Sequence, residues 1–314
     1  MSPPKQVFIA VIGVGGVGRA FLSQLRALSS RLSQSQTSPT YLSLILLSRS
    51  SKLLYSKDFH PLSFGSWEAD LQASTLPLLP LDQVADYLGR APGKVVLVDN
   101  TSSQDVADHY PRFLRKGVSV VTPNKKGFSG SYGLWEDIFA AAGSQGGGLI
   151  FHESSVGAGL PVISTLKELV DTGDEVRKVE GVFSGTMSFL FNSFAPVGGG
   201  GGKFSEEVKK AKELGFTEPD PRDDLNGLDV ARKLTILARL SGLPIESPTS
   251  FPVQSLIPKP LESARSGDEF LARLGEYDED IEKLKKEAEA EGKVIRFVGS
   301  IDVGRKDVKV GLEK

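Results

Sequence analysis

The first half of the chain alternates short, uninterrupted apolar runs with amphipathic stretches. Apolar runs of four to six residues are typical of strands buried on both faces of a parallel sheet, and apolar residues every three to four positions indicate helices. The predicted strands cover residues 7–12, 42–47, 95–98, 118–122 and 149–152, and the predicted helices cover residues 19–28, 105–115 and 135–142. This alternation predicts a doubly wound α/β domain.

The second half is less regular and indicates a different kind of domain. It contains a predicted strand at 178–183 and predicted helices at 161–170, 225–240 and 278–292. The last helix is highly charged, with Ile281, Leu284 and Ala288 spaced for one buried face, so we interpret it as a surface helix. Five consecutive glycines at 198–202 predict a mobile tip. We expect a dinucleotide-binding domain over 1–152 and a second, α+β domain over 153–314.

Composition excludes several classes of function. The chain of 314 residues has 37 Lys and Arg against 39 Asp and Glu, so its net charge of −2 offers no field for binding nucleic acid. It has no cysteine and three histidines, which argues against disulfides, thiolate catalysis and zinc sites. The sequence carries neither a signal-peptide pattern nor an 18-residue apolar span, so we expect a cytoplasmic protein without membrane contact.

A glycine-rich turn follows the first predicted strand directly and precedes a predicted helix. Its pattern is Gly13-Val14-Gly15-Gly16-Val17-Gly18. In a Rossmann-type domain such glycines permit a tight turn, close approach of a pyrophosphate to the backbone, and close packing of the helix. The free N–H groups of the helix N-terminus stabilise the phosphate charge. The context therefore predicts dinucleotide binding rather than a purely structural turn.

The end of the second predicted strand bears on the choice of cofactor. NAD-binding domains place an Asp or Glu there to hold the ribose hydroxyls, whereas this strand ends in Ser48-Arg49-Ser50. Arg49 can pair with a 2′-phosphate, with Lys57 as a second cation, although an exposed arginine without a ligand is the alternative. The sequence predicts NADP, or use of both NADP and NAD.

Two polar loops follow predicted strands at the carboxyl edge of the sheet, where open α/β sheets bind ligands. Residues 100–102 place Thr101 near a cofactor, and residues 122–126 place Lys125 near the nicotinamide or the substrate. Either loop can instead be a simple polar connection.

Three further segments each have two interpretations. Residues 153–160 combine Glu153 with a glycine-bent backbone whose carbonyls suit a hard cation, but spacing alone favours a hinge. Residues 184–186 can offer donors to a substrate carboxylate or simply begin a helix. In the acidic segment 217–233, Asp229 and Lys233 lie four apart on one helix face. They form either a surface ion pair or a lysine that donates a proton to a carbonyl oxygen, oriented by the acid.

Together these segments resemble the homoserine dehydrogenases, in particular the fungal monofunctional form, over almost the whole chain. The resemblance is carried by VTPNKKGFS, FHESSVGAGLP, FSGTMSFLFN and GFTEPDPRDDLNGLDVARK. It implies an NAD(P)-dependent interconversion of L-aspartate 4-semialdehyde and L-homoserine, in threonine and methionine biosynthesis, by a homodimer. Members of this family continue past a segment like VGLEK, so the resemblance also predicts that this sequence lacks a C-terminal segment.

The resemblance assigns roles to individual residues. Lys233 would be the acid–base residue, oriented by Asp229, with Lys125 close to the reacting centre. The implied substrate-binding residues are Glu218, at the ammonium group, with Asp224, Gly185 and Thr186. The implied cofactor contacts are Gly13, Gly15, Gly18, Thr101 and Lys125. The implied sodium ligands are Glu153 and the carbonyls of Val156, Ala158 and Leu160.

Two alternatives stay open at this point. One is a dehydrogenase of another amino-acid semialdehyde, and the other is a non-catalytic NAD(P)-binding sensor or scaffold with the same fold. Phosphorylating semialdehyde dehydrogenases are excluded because they need a cysteine. The presence of Glu218, Asp229 and Lys233 together favours an enzyme.

Overall fold

The computed structural model describes residues 5–314 and divides the chain into two compact units, the first ending at Pro161 and the second beginning at Val162. The strands are β1 (Lys5–Ile12), β2 (Thr40–Arg49), β3 (Lys52–Tyr55), β4 (Lys94–Asp99), β5 (Val118–Val121), β6 (Ile150–Phe151), β7 (Lys178–Gly181), β8 (Arg296–Asp302) and β9 (Asp307–Glu313). The helices of the first unit are α1 (Gly16–Ser33), α2 (Trp67–Ala73), α3 (Leu81–Leu88), α4 (Gln104–Asp108), α5 (Tyr110–Arg115), α6 (Lys126–Ser129) and α7 (Tyr132–Gly143). Those of the second unit are α8 (Val162–Asp171), α9 (Gly185–Phe194), α10 (Phe204–Glu213), α11 (Arg222–Leu225), α12 (Leu228–Leu240), α13 (Gly267–Arg273) and α14 (Asp278–Ala290).

The first unit is built on a six-stranded sheet with the order β3-β2-β1-β4-β5-β6. All neighbours are parallel except β2 and β3, which form an antiparallel pair at one edge. The strand order reverses between β1 and β4, and ligands of open α/β sheets bind at the carboxyl ends of strands flanking such a reversal. The predicted doubly wound α/β fold is confirmed.

The core of this unit lies where the apolar runs predict it. Strand β2 buries six consecutive residues, 43–48, and α1 packs Leu22 and Leu25 against the sheet. Burying such a leucine side chain is worth about 2 kcal/mol. The central strands therefore fix the position of the loops at their carboxyl ends.

The second unit contains an antiparallel sheet with the order β7-β8-β9, packed against α9 and α12. Helix α12 is buried over most of its length from Val230 to Arg239. Gly299 in β8 permits this packing, because a Cβ at that position would lie 2.9 Å from a methyl group of Leu234. The α+β character expected for the second half is present.

Two predicted helices are interrupted in the structure. The helix predicted over 225–240 is wrong as one element, because Gly227 adopts φ +74° and separates α11 from α12. A side chain there would be strained by the positive φ, and its Cβ would lie 3.1 Å from atoms of Phe297 and Val253. The helix predicted over 105–115 is likewise two helices, α4 and α5, which meet at His109.

The charged helix α14 has a different buried face from the one predicted. Ala288 is fully buried as expected, but Leu284 is 37% exposed, whereas Lys285 is 5% exposed. The Lys285 amine lies 4.8 Å from the ring centroid of Phe194 and 3.4 Å from a carboxylate oxygen of Glu282. Within residues 5–314, no helix is long and apolar enough to cross a membrane.

Candidate active site

The three spaced glycines of the first turn have three different surroundings. Gly13 has φ +91°, and a Cβ there would lie 2.7 Å from the methyl group of Thr101. A Cβ on Gly18 would lie 2.4 Å from the carbonyl oxygen of Gly13, so α1 approaches the turn closely. By contrast, a Cβ added to Gly15 would have no heavy atom of residues 5–314 within 4 Å apart from its own adjoining backbone. These are the tight-turn, helix-packing and ligand-approach positions of a dinucleotide-binding turn.

The N-terminus of α1 is available to an anion. Its N-cap residue, Gly15, makes no side-chain capping bond, and the first turn contains no acidic residue. Nearby, the side-chain nitrogen of Asn100 is buried without a hydrogen-bond partner in the part of the chain that the structure describes. Unsatisfied donors around open backbone suit a pyrophosphate. The residues present therefore fit a nicotinamide dinucleotide.

Two cavities adjoin this turn, and Arg49 borders both. The first, about 330 Å³, is lined largely by apolar side chains such as Leu79 and Val84, together with Gly13 and Thr101. The second, about 270 Å³, is lined by polar residues that include Arg19, Arg49, Lys52 and Glu68. An apolar cavity beside a cationic one suits a nucleoside and a phosphate.

The cationic side chains around the second cavity differ in whether they already have ion-pair or hydrogen-bond partners. Arg19 pairs with Glu68, and the Lys52 amine donates to the carbonyls of Gln72 and Ser74 at 2.9 and 3.0 Å. Arg49 is exposed, and its guanidinium has no hydrogen bond or ion pair with any residue from 5 to 314. Lys57 is exposed in the turn after β3 and lines neither cavity, so the structure does not group it with Arg49.

The predicted Thr101 and Lys125 lie just beyond the carboxyl ends of the neighbouring strands β4 and β5. The Thr101 N–H donates to Asp99 Oδ1 at 2.8 Å, and Lys125 is half-buried at the N-cap of α6. The parallel pair of β4 and β5 thus places the Thr101 loop and the Lys125 loop at the same edge of the sheet. Asp99, which sequence reasoning did not single out, joins them.

The segment 153–160 has an unusual backbone. Glu153 begins a 3₁₀ turn, and Gly157 and Ala158 have φ values of +81° and +51°. A left-handed conformation is uncommon for alanine and bends the chain sharply. In the described residues there is no group of three or more His, Asp and Glu side chains arranged for a metal. A cation here would therefore depend mainly on backbone carbonyls such as those of Val156 and Leu160.

The second unit contains an open cleft of about 660 Å³ that brings together every substrate-pocket residue predicted in this half of the chain. Its lining residues are Ser184, Gly185, Thr186, Ser188, Phe189, Phe216, Glu218, Asp224, Asp229 and Lys233. The acidic segment and the start of α9 form its walls.

Lys233 is held firmly in this cleft. Its amine lies 2.7 Å from Asp229 Oδ2 and donates to the Phe183 carbonyl at 2.7 Å. The lysine side chain is 16% exposed, against 47% for Asp229. Two of the three ammonium protons therefore have fixed acceptors, which leaves one direction for a ligand. The Phe183 carbonyl lies beyond the end of β7 and carries no signal in the sequence.

The opposite wall depends on Asp224. Its Oδ1 accepts from the Thr186 hydroxyl at 2.9 Å, and its Oδ2 accepts from the Glu218 N–H at 2.8 Å. The Thr186 hydroxyl also lies 2.6 Å from the Phe216 carbonyl. Asp224 and Thr186 therefore hold the wall together, while the exposed Glu218 carboxylate remains available to a ligand.

Two local features keep these walls in place. The Ser184 hydroxyl accepts from the Met187 N–H at 3.2 Å, so residues 184–186 form a capped helix start with Gly185 open to the cleft. Arg222 makes a two-pronged contact with Asp220 and donates to the Ala264 carbonyl at 2.7 Å. The Arg222 guanidinium holds the pKa of the Asp220 carboxyl below its usual range. Sequence reasoning missed this anchor.

With a dinucleotide-binding unit followed by a unit that contains a lysine–aspartate cleft, the chain falls into the class of nicotinamide-dependent oxidoreductases. Residues 13–152 match the model for the NAD-binding domain of homoserine dehydrogenase, and residues 161–314 match the model for homoserine dehydrogenase itself. The chain belongs to the homoserine dehydrogenase family.

Individual relatives agree with this assignment. The homoserine dehydrogenase of Saccharomyces cerevisiae is 55% identical over 311 residues, covering 99% of this chain and 84% of the yeast protein. A bifunctional aspartokinase/homoserine dehydrogenase of Arabidopsis thaliana is 41% identical, covering 98% of this chain and 33% of that protein. The function is therefore that of an NAD(P)-dependent homoserine dehydrogenase, as the sequence predicts.

Solved structures extend the likeness to the fold. A Candida auris protein described as of unknown function superposes with a TM-score of 0.90 at 46% identity, covering 99% of this chain and 84% of that one. A hyperthermophilic archaeal homoserine dehydrogenase in complex with NADPH superposes with a TM-score of 0.68 at 21% identity, covering 98% and 82%. The second likeness concerns the fold alone.

Proposed function

We propose that this chain interconverts L-aspartate 4-semialdehyde and L-homoserine, with Lys233 as the acid–base residue. The observation that carries the proposal is the Lys233 ammonium, fixed by Asp229 and the Phe183 carbonyl inside a cleft that also contains Glu218. Two acceptors orient the ammonium and leave its third proton for a substrate oxygen. Orientation of this kind lowers the barrier to proton transfer.

The chemistry follows from these contacts. A reduced nicotinamide, when bound, would supply the hydride for the new C–H bond. Lys233 donates a proton to the aldehyde oxygen as negative charge develops there, and in the reverse direction its neutral amine accepts the proton from the hydroxyl. Asp229 holds the direction of the Lys233 ammonium. Lys125, which follows β5 in the first unit, is proposed to lie near the nicotinamide.

The cleft walls account for recognition of an amino acid. Glu218 has an exposed carboxylate that can pair with the substrate ammonium, and Asp224 fixes the backbone that carries it. The N–H groups at the start of α9, at Gly185 and Thr186, can bind the substrate carboxylate. A carboxylate for the ammonium group and N–H donors for the carboxylate support an amino-acid aldehyde as substrate.

Replacing Lys233 tests the assignment. Lys233→Ala should lower kcat for NADPH-dependent reduction of the semialdehyde by about 10²–10⁴-fold, because general acid catalysis contributes this much. The affinity for NADPH, measured by fluorescence titration without substrate, should not change. The matched control is Lys209→Ala, an exposed lysine of α10 in the same unit, which should behave as wild type. Turnover by Lys233→Ala equal to that of the control would exclude the role.

The cofactor we propose is NADP or NAD, with Arg49 as the residue that pairs with a 2′-phosphate. Support comes from the unengaged guanidinium at the cationic cavity and from the absence of a carboxylate at the end of β2. Lys57 is proposed only as a more distant positive charge near the cofactor, because it lines neither cavity.

We also propose that a sodium ion is bound by Glu153 and the carbonyls of Val156, Ala158 and Leu160. One carboxylate balances the charge of a monovalent ion, and carbonyl oxygens suit a hard cation. The left-handed backbone at Gly157 and Ala158 supports such a turn. Replacing Na⁺ by tetramethylammonium at constant ionic strength should lower thermal stability in wild type but not in Glu153→Gln.

Assembly as a homodimer is part of the proposal. In the second unit Leu169, Val170 and Val182 are 41%, 38% and 43% exposed, and exposed apolar side chains favour association. Sedimentation equilibrium should give twice the chain mass of 33.7 kDa. A single-chain mass at micromolar concentration would contradict it.

A further inference from the structure

A buried carboxylate, Asp99, terminates strand β4 beneath the loop that carries Thr101. It is 0% exposed and accepts three hydrogen bonds. Oδ1 accepts from the Thr101 N–H at 2.8 Å, whereas Oδ2 accepts from the Asn124 side-chain nitrogen at 3.1 Å and from the Tyr110 hydroxyl. Burying a carboxylate is costly unless such donors compensate. The complete burial of the Asp99 carboxylate at the end of β4 therefore needs a structural or functional reason.

The bonds of Asp99 connect two loops that are separate in sequence. Its carbonyl accepts from the Thr122 hydroxyl at 2.9 Å, and that hydroxyl accepts from the Asn124 N–H at 2.9 Å. Asn124 in turn donates to the Ser103 carbonyl at 2.9 Å and accepts from the Lys126 N–H at 3.1 Å. The loop with Thr101 and the start of the helix capped by Lys125 therefore share one buried anchor.

Tyr110 donates a hydrogen bond to the Asp99 carboxylate that connects the two loops. Burial, and then the neighbouring Asp99 carboxylate, raise the pKa of Tyr110 well above its usual range, so its hydroxyl remains a donor. Its ring is fixed by close packing, because a Cβ on Gly127 would lie 2.9 Å from it. Tyr110 belongs to α5, and its hydroxyl also lies 3.0 Å from the Thr122 hydroxyl and interacts with the Asn124 side chain.

We infer that Asp99 is a positioning residue, which aligns the cofactor loop at Thr101 with the loop that presents Lys125. The inference rests on the proposed roles of Thr101 and Lys125. Only a carboxylate can serve both loops, since it offers acceptors on both sides. An asparagine of the same size has one acceptor oxygen, so in either orientation its NH₂ group faces a donor, and one of the two loops loses its bond to the side chain of residue 99.

The test compares two substitutions at the same carboxylate. Asp99→Asn should raise the dissociation constant for NADPH and lower kcat, each by about 10-fold or more, because small misplacements of reacting groups have effects of this size. Tyr110→Phe removes a donor from Asp99 and a contact with the Thr122 hydroxyl, but it keeps the bonds of Asp99 to Thr101 and Asn124. It should lower the melting temperature, yet leave kcat and NADPH affinity within about 3-fold of wild type.

The outcomes separate positioning from simple support of the fold. Equal losses of kcat in Tyr110→Phe and Asp99→Asn would overturn the inference, as would wild-type values in Asp99→Asn. If Asp99→Asn does not fold, Asn124→Ala breaks the link to the second loop while the Thr101–Asp99 bond remains. That variant should lower kcat more than it weakens NADPH binding, and equal effects on both quantities would count against a positioning role.

NADPH titration without substrate keeps the two proposals distinguishable. If the wild-type chain binds NADPH but does not reduce the semialdehyde, the proposed function fails. The change in NADPH affinity between Asp99→Asn and Tyr110→Phe still decides the role of Asp99 in that case.

Discussion

The glycines of the first turn have different surroundings, so substitutions can test their proposed tasks separately. Space around Gly15 is open, whereas Gly18 lies against the Gly13 carbonyl. A methyl group at each position therefore acts on a different property of the protein. At Gly15 it enters open space, where we propose that the pyrophosphate binds, and at Gly18 it collides with the backbone of the turn.

Alanine substitutions should separate ligand approach from packing. Gly15→Ala should leave the melting temperature unchanged but raise the dissociation constant for NADPH by at least about 10-fold, since the methyl group meets the pyrophosphate. Gly18→Ala should weaken NADPH binding and also destabilise the protein by about 1–3 kcal/mol, the usual range for overpacking. Thermal unfolding and fluorescence titration measure the two quantities. A loss of stability in Gly15→Ala would contradict the assignment.

Arg49 and Lys57 form a matched pair for testing cofactor choice. Arg49→Asp should reverse the preference between NADPH and NADH, because a carboxylate repels a 2′-phosphate and can accept from the ribose hydroxyls. Lys57→Ala should leave the preference unchanged, since Lys57 lines neither cavity. The measurement is the ratio of kcat/KM with the two cofactors. An unchanged ratio in Arg49→Asp would remove Arg49 from cofactor recognition.

At the scale of single helices and strands, the sequence pattern predicts the features that depend on residues close together in the chain. Strands β1, β2 and β4 follow from apolar runs, and the four-residue spacing of Asp229 and Lys233 predicts the contact seen at 2.7 Å. Their catalytic roles stay predictions. The break at Gly227 escapes the same reasoning because Leu225 and Leu228 continue the helical apolar pattern across it. A Cβ at Gly227 would lie 3.1 Å from Phe297, about 70 positions later, and only the fold brings these two residues together.

Strands β8 and β9 were not predicted, for a related reason. Strand β8 has the sequence RFVGSID, in which Gly299 and Ser300 weaken the apolar pattern. It is stabilised by pairing with β7, more than one hundred positions earlier, and by packing on Leu234 of α12. Asp99 was missed likewise, because only the fold brings Thr101, Tyr110 and Asn124 to one carboxylate.

The whole molecule consists of two units, each with its own core. Each unit contains a glycine at which an added methyl group would collide with a neighbour. One alanine substitution can therefore destabilise the core of each unit. A Cβ on Gly148 would lie 2.2 Å from the Val118 carbonyl oxygen in the first unit, and a Cβ on Gly299 would lie 2.9 Å from Leu234 in the second. A collision with backbone is harder to relieve than one with a leucine side chain, so the first change should be the more costly.

Because NADPH is proposed to bind the first unit, it should stabilise the two units unequally. In calorimetry, NADPH at 100 times its dissociation constant should stabilise that unit by about 2.7 kcal/mol and raise its transition by about 6–10 °C. Gly299→Ala should lower the second unit's transition and leave the NADPH-sensitive one in place. Gly148→Ala should lower the NADPH-sensitive transition instead. One transition that NADPH and both substitutions shift alike would show that the two cores unfold as a single cooperative unit.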